Sequence, residues 1–187
     1  MTSTFKRSFP ITHITTAWAI LHIDGINFLT DPVFSPAGTE WDMGLTVLKN
    51  TKGPATQLED IPVIDAVLLS HEDHPITWTN SVGALSTAAG SHDTRRSPET
   101  RASSWFAILN IGSAEVAISD PPLLVAMDGK EAGRLFREIG ADVLVLMHYE
   151  SWEDFAENRD QLRVMLEQEG VSDQVRWLER GAETKIL

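Results

Sequence analysis

Apolar residues run along this chain in short blocks divided by polar or glycine-rich turns, and a helical period shows in only two places. Ala17 to Asp31, AWAILHIDGINFLTD, holds two apolar stretches around Asp24-Gly25. That pair suits the positive φ angles of a type I′ turn, so the stretch predicts a β-hairpin. Its second strand stops at Thr30-Asp31-Pro32, because Pro32 has no N–H for a ladder. Val63 to His74, VIDAVLLSHEDH, carries the run Ala66 to Leu69 and breaks at Ser70-His71-Glu72-Asp73-His74. It predicts a buried strand that ends in a polar cluster. Trp105 to Ile111 and Ala114 to Ser119 read as strands, with Gly112-Ser113 as a second hairpin turn and Pro121-Pro122 as a break. Asp128, with Glu131 three residues on, forms a capping-box signature. The helix it opens should run to about Ile139, with Leu135, Phe136 and Ile139 inward and Gly140 as its stop. Asp142 to Met147, DVLVLM, predicts a fully buried strand ending at His148-Tyr149-Glu150. Ser151, with Asp154 at its third position, predicts the cap of a second helix. Phe155, Leu162, Met165 and Leu166 form its stripe, and Gly170 its end. Val175 to Leu178 reads as a last short strand.

Three segments lack such order. Residues 33–62, with Pro36, Gly38, Gly44, Gly53, Pro54 and Pro62, predict a long irregular loop whose Phe34, Trp41 and Leu48 pack over something. Ile76 to Ala89 allows a short helix, and residues 90–104, almost wholly polar, predict a mobile linker. Hairpin, strand, linker, hairpin, helix, strand, helix, strand is an α/β layout.

Composition narrows the function. The chain has 187 residues, enough for a single domain with a core across 1–187. It has no cysteine, which excludes disulfides and thiolate zinc sites and favours a cytoplasmic protein. A net charge of -12 argues against a nucleic-acid partner. No apolar run reaches membrane-spanning length and no signal peptide is evident, so no membrane partner is expected.

Three buried-looking strands thus end in Asp31, His71 and His148. If they lie side by side, all three side chains reach one crevice, where α/β sheets place their sites. Imidazole and carboxylate at the spacing of His71, Asp73 and His74, joined by His148, suit zinc or another borderline divalent ion. Without a metal, His71 or His148 suits a general base, with Asp31 to orient it. Plainer readings stand beside these: a solvated loop at 70–74, a turn start at Asp31, and a core histidine bonded to a backbone carbonyl at His148. His13 and His22 carry less functional signal, and His22, alternating within the hairpin, is expected on a solvent face. His92 falls in the polar linker. Trp41 and Trp152 are placed to wall a substrate pocket, with Tyr149 beside them.

These segments resemble the metallo-β-lactamase superfamily, in its lactonase-like and N-acylphosphatidylethanolamine phospholipase D-like branch. Ala17 to Ser35 is similar to the family's opening hairpin with its Thr-Asp-Pro. Asp65 to His74 is similar to the strand entering the metal motif, and Met127 to Trp152 to the late helix, strand and final ligand histidine. The resemblance implies an αββα sandwich with metal at the sheet edges, where activated water attacks an ester, lactone, amide or phosphodiester. The chain also departs from the pattern. Against His-x-His-x-Asp-His, only His71 and one of Asp73 or His74 fit. Thr15-Thr16 stand where the family has Gly-His. The middle of the chain is short, with only His92 and Asp120 as weak candidates for the missing histidine and aspartate. The expectation is therefore a truncated metallo-β-lactamase-like αββα sandwich.

A two-metal site of this family needs about seven ligands, and at most five are available here: Asp31, His71, Asp73, His74 and His148. One zinc or other divalent ion, or none, is expected. The resulting function is a reduced-site enzyme acting on a small ester, lactone or related metabolite. The alternatives are a metal-independent isomerase or cyclase and a non-catalytic binding descendant of the fold. Lost strands would leave edges and apolar faces for a homodimer to cover, through Trp105 to Ser119 or the helix after Glu153.

Overall fold

The computed structural model describes residues 9–42, 44, 46–70, 106–116 and 120–186. Twelve strands and two helices are seen among them. β1 (Pro10–Thr15), β2 (Trp18–Ile23), β3 (Ile26–Thr30), β6 (Ala66–Leu68) and β12 (Glu183–Lys185) form one sheet in the order β12-β1-β2-β3-β6. β3 and β6 are parallel, and the other pairs are antiparallel. β7 (Phe106–Asn110), β10 (Val143–Met147) and β11 (Val175–Arg176) form a second, parallel sheet with β10 in its centre.

The sheets pack face to face. Ile11, Ala19 and Leu21 of the first meet Val143, Val145 and Met147 of the second. The alternate residues of β10, Leu144 and Leu146, turn outward onto α1 (Gly129–Ile139) and α2 (Arg159–Gln168), where Phe136, Leu162 and Leu166 cover them. A strand buried on both faces must be apolar throughout, which is why DVLVLM lacks alternation. The outer face of the first sheet, Ile14, Trp18, Ile20 and Leu29, is covered by Phe34, Ile61 and Ile64 from the segment between β3 and β6. The mixed α/β class is as expected, and among the described residues helices cover one outer face of the two-sheet sandwich while an extended segment covers the other.

Local chemistry explains the agreements and the departures. Asp24 (φ 50°) and Gly25 (φ 86°) form the left-handed pair of the β2–β3 turn. The Asp128–Glu131 capping box is present, and Gly140 closes α1 at φ 68°. Ile139, expected inward, is 52% exposed at the helix end. Gly112-Ser113 makes no hairpin, because β7 pairs in parallel with β10 while β8 (Glu115–Val116) pairs with β9 (Leu123–Leu124). α2 does not begin at Ser151. That residue sits at φ 87° with its hydroxyl held by Thr15, and the cap is Asn158, boxed with Gln161. β6 is half-buried to exposed rather than fully buried. The irregular loop contains a hairpin of β4 (Glu40–Asp42) and β5 (Val47–Lys49). β1 and the polar β12 were not anticipated. His71, Asp73, His74, Trp78, His92, Trp105, the helix at 76–89 and the linker at 90–104 lie outside the described residues.

Candidate functional site at the strand ends

β3, β6 and β10 stop at the same end of the sandwich. Asp31, directly after β3, donates its N–H to the Leu68 carbonyl at 3.0 Å, and its Oδ1 accepts from the Ser70 N–H at 2.7 Å. The Thr-Asp-Pro turn therefore holds the exit of β6, one residue before His71. On the other side of Thr30, its hydroxyl donates to the Ala17 carbonyl at 2.7 Å and accepts from the Ala19 N–H at 3.0 Å. This ties β3 to the β1–β2 turn. That turn in turn meets β10, since the His148 N–H donates to the Thr16 carbonyl at 3.0 Å. Hydrogen bonds, together with the covalent steps Thr30-Asp31 and Thr16-Ala17, thus link Ser70, Asp31, Thr30, the 15–18 turn and His148.

The backbone is strained where these segments meet. Thr16 (φ 48°), Asp31 (φ 35°), His148 (φ 64°) and Ser151 (φ 87°) all occupy the left-handed region without being glycine. Each costs of order 1 kcal/mol, and such residues gather where surrounding structure enforces a geometry that function uses.

His148 is half-buried, and its Nδ1 lies 3.2 Å from the Ile111 carbonyl. A carbonyl only accepts, so Nδ1 carries the proton and Nε2 is the basic nitrogen. This bond belongs to the plain core-histidine reading, and it equally sets the tautomer that a ligating or proton-accepting histidine needs. The ring packs on Phe155 at 4.8 Å. Gly112 backs the same residue: a Cβ there would lie 2.6 Å from the His148 carbonyl oxygen and 2.9 Å from the Phe155 ring.

Trp41 and Trp152 come together, their rings 5.0 Å apart. The β4–β5 hairpin brings Trp41 there. Asn50 bridges to Trp152, the Thr51 N–H donates to the Ser151 carbonyl and the Glu153 N–H to the Lys49 carbonyl. Tyr149, expected beside a substrate, is instead buried in the helix-side core against Trp177. Burial pushes its hydroxyl pKa up to about 12, with the Glu150 carboxylate adding to the shift. Asp120 is exposed in the β8–β9 connection. His22 is half-buried and outside the site: Nδ1 donates to Asn27 Oδ1 at 2.7 Å, and Nε2 is 3.3 Å from the Thr12 hydroxyl.

Sequence reasoning set His13 aside, yet it is 2% exposed and close to His148. Its Nε2 donates to the Thr16 carbonyl at 3.0 Å, and Nδ1 lies 3.9 Å from a Glu150 carboxylate that also binds Lys52 at 2.7 Å. Burial lowers its pKa, against the Thr16 carbonyl and the Glu150 charge, which favour the protonated ring. Its one sequence signal was a position two residues after Ile11, on the strand face that points between the sheets.

Among the described residues no three His, Asp or Glu side chains converge as a metal-binding group. Of the proposed ligands, Asp31 and His148 are described, and their donor chemistry suits a divalent ion.

No protein-family model and no curated protein sequence matches the chain. Solved structures do. An isothiocyanate hydrolase from Delia radicum gut bacteria superimposes with a TM-score of 0.71 at 16% identity, over 94% of this chain and 98% of the other. A possible metal-dependent hydrolase from Veillonella parvula gives 0.68 at 15% identity, over 95% and 99% of the two chains. A metallo hydrolase from the hyperthermophilic archaeon Ignicoccus hospitalis gives 0.61 at 14%, over 96% and 98%. The chain shares the fold of these hydrolases. Among the described residues no helix is long and apolar enough to cross a membrane.

Proposed function

We propose that the chain is a hydrolase with a reduced site at the end of the sandwich where β3, β6 and β10 stop. It holds at most one divalent ion, through His148, His71 and one of Asp73, His74 or Asp31. The observation that carries this reading is the hydrogen-bonded run from Ser70 through Asp31 to His148, with Asp31 and His148 both held left-handed. When bound, such an ion supplies Lewis acidity toward an electrophilic carbon. The chain's own residues do the rest. His148, protonated on Nδ1, presents Nε2 as ligand or base, Asp31 fixes the entry to 71–74, and the Trp41–Trp152 pair forms an apolar wall. The substrate class is a small ester, lactone or related electrophile. Isothiocyanates join it because a protein of this fold hydrolyses one. Cleavage of β-lactams and phosphodiesters, which leans on a second metal, should be poor. The same histidine tautomer serves proton transfer without metal, so an isomerase or cyclase is the second reading.

Metal content after dialysis and turnover on an ester, lactone and isothiocyanate panel test the proposal. His71→Ala and His148→Ala should each abolish turnover with the fold intact, and Asp31→Asn should lower it with a shifted pH profile. Two metal equivalents per chain would overturn the reduced site. Full activity in both histidine variants would place the site elsewhere. Zero metal, with no thermal stabilisation by zinc, would favour the isomerase or cyclase.

A further inference from the structure

The end of β1 and the turn after β10 are matched residue against residue. The Thr16 carbonyl accepts two hydrogen bonds, from His13 Nε2 and from the His148 backbone N–H, each at 3.0 Å. The Thr15 hydroxyl meets Ser151 Oγ at 2.9 Å, buried, and His13 Nδ1 faces Glu150. Three residues of this contact, Thr16, His148 and Ser151, are left-handed. Left to itself each would relax, so the turn persists only where it is gripped on several sides. His13 is the member whose presence least explains itself. It lies between the sheets, in the layer of Ile11 and Ala19, where an apolar side chain would fill the space without desolvating an imidazole. What an apolar residue lacks is a donor for the Thr16 carbonyl.

We propose that His13 is a positioning residue for His148. By donating from Nε2 it fixes the direction of the Thr16 carbonyl, and that carbonyl holds the His148 amide and with it the left-handed turn that aims the His148 ring. The proposal rests on the reading of His148 as a site residue, but it concerns bonds of the chain itself and can be judged without turnover.

NMR of isotope-labelled protein tests it. In the wild type at neutral pH the His13 ring should carry its proton on Nε2 and none on Nδ1. His13→Gln places an amide nitrogen about where Nε2 lies, whereas His13→Asn is too short to reach Thr16. The His148 amide should exchange with solvent roughly fivefold faster in H13N, and within about twofold of wild type in H13Q, as one hydrogen bond is worth about 1 kcal/mol. The Leu144 amide, in the middle of β10, should not change. Zinc, used alone as probe, should bind roughly tenfold more weakly to H13N and normally to H13Q. A wild-type His13 protonated on Nδ1, a His148 amide unchanged in H13N, or an H13Q as defective as H13N would each overturn the proposal. If H13N does not fold, the wild-type tautomer and the H13Q exchange rate decide. If the wild type binds no zinc, the metal reading of the site falls, while the exchange rates still judge His13.

Discussion

Glu157 shows how one buried carboxylate sets a pH dependence. It is 7% exposed and accepts the Gly129 N–H at 2.8 Å, at the start of α1. Burial raises its pKa, the Gly129 bond opposes the rise, and Asp128 and Glu131 add to it. A raised folded-state pKa means that the folded chain holds this proton more tightly than the unfolded one. The stabilisation is therefore full below the ordinary glutamate value and is lost as pH rises through the raised one. Glu157→Gln keeps an acceptor for Gly129 without the charge. It should raise the melting temperature at slightly alkaline pH, and the gain should vanish as pH falls below the glutamate range. Thermal melts across pH check this, and a loss confined to pH above the glutamate range would show the charge to be a net asset to the helix. His13 runs the other way. Its depressed pKa costs stability as pH falls below the usual histidine value, since the unfolded chain then binds the extra proton. Candidate site residues were legible to differing degrees at this scale. Asp31 and His148 could be read because each ends an apolar run that must stop. His13 could not, because its proposed role depends on a carbonyl three residues on and a turn much later in the chain.

At the scale of elements, the sequence was clearest where one local rule had no competitor. Asp24-Gly25, Asp128 with Glu131, Gly140 and the DVLVLM run each carry a self-contained physical reason. It misled where two signals competed. Ser151 reads as the helix cap and Asn158 is passed over; the Ser151 hydroxyl is instead held by Thr15, and Asn158 with Gln161 caps α2. Gly112 looked like a hairpin glycine, but its requirement is space: at φ 152° it lies against the His148 carbonyl and Phe155. Gly112→Ala should cost at least about 2 kcal/mol, combining overpacking with a disfavoured backbone, and should weaken zinc binding. Urea unfolding checks the first part, and a change under about 0.5 kcal/mol would mean that the turn yields freely.

At the scale of the molecule, Leu123, Leu124 and Val125 stand 48%, 40% and 56% exposed on and beside β9. Three adjacent exposed apolar residues on a two-stranded ribbon suit a partner surface better than water. We propose that a homodimer at micromolar concentration covers this ribbon, and Leu124→Glu should render it monomeric in sedimentation. A monomeric wild type would remove this expectation. The pairing of β12 with β1 has a different kind of consequence. Ile186, 3% exposed, donates its N–H to the Phe9 carbonyl, and Glu183 to Lys185 pair with Thr12 to Pro10. The strand that supplies His13 is thus completed by a segment far later in the chain. Until that segment has been made, the nascent chain bares the edge of β1, and closure must span the long stretch between the two strands, a slow step by its loop entropy. The first sheet would therefore close late, leaving an unfinished β-edge open to wrong pairing until it does.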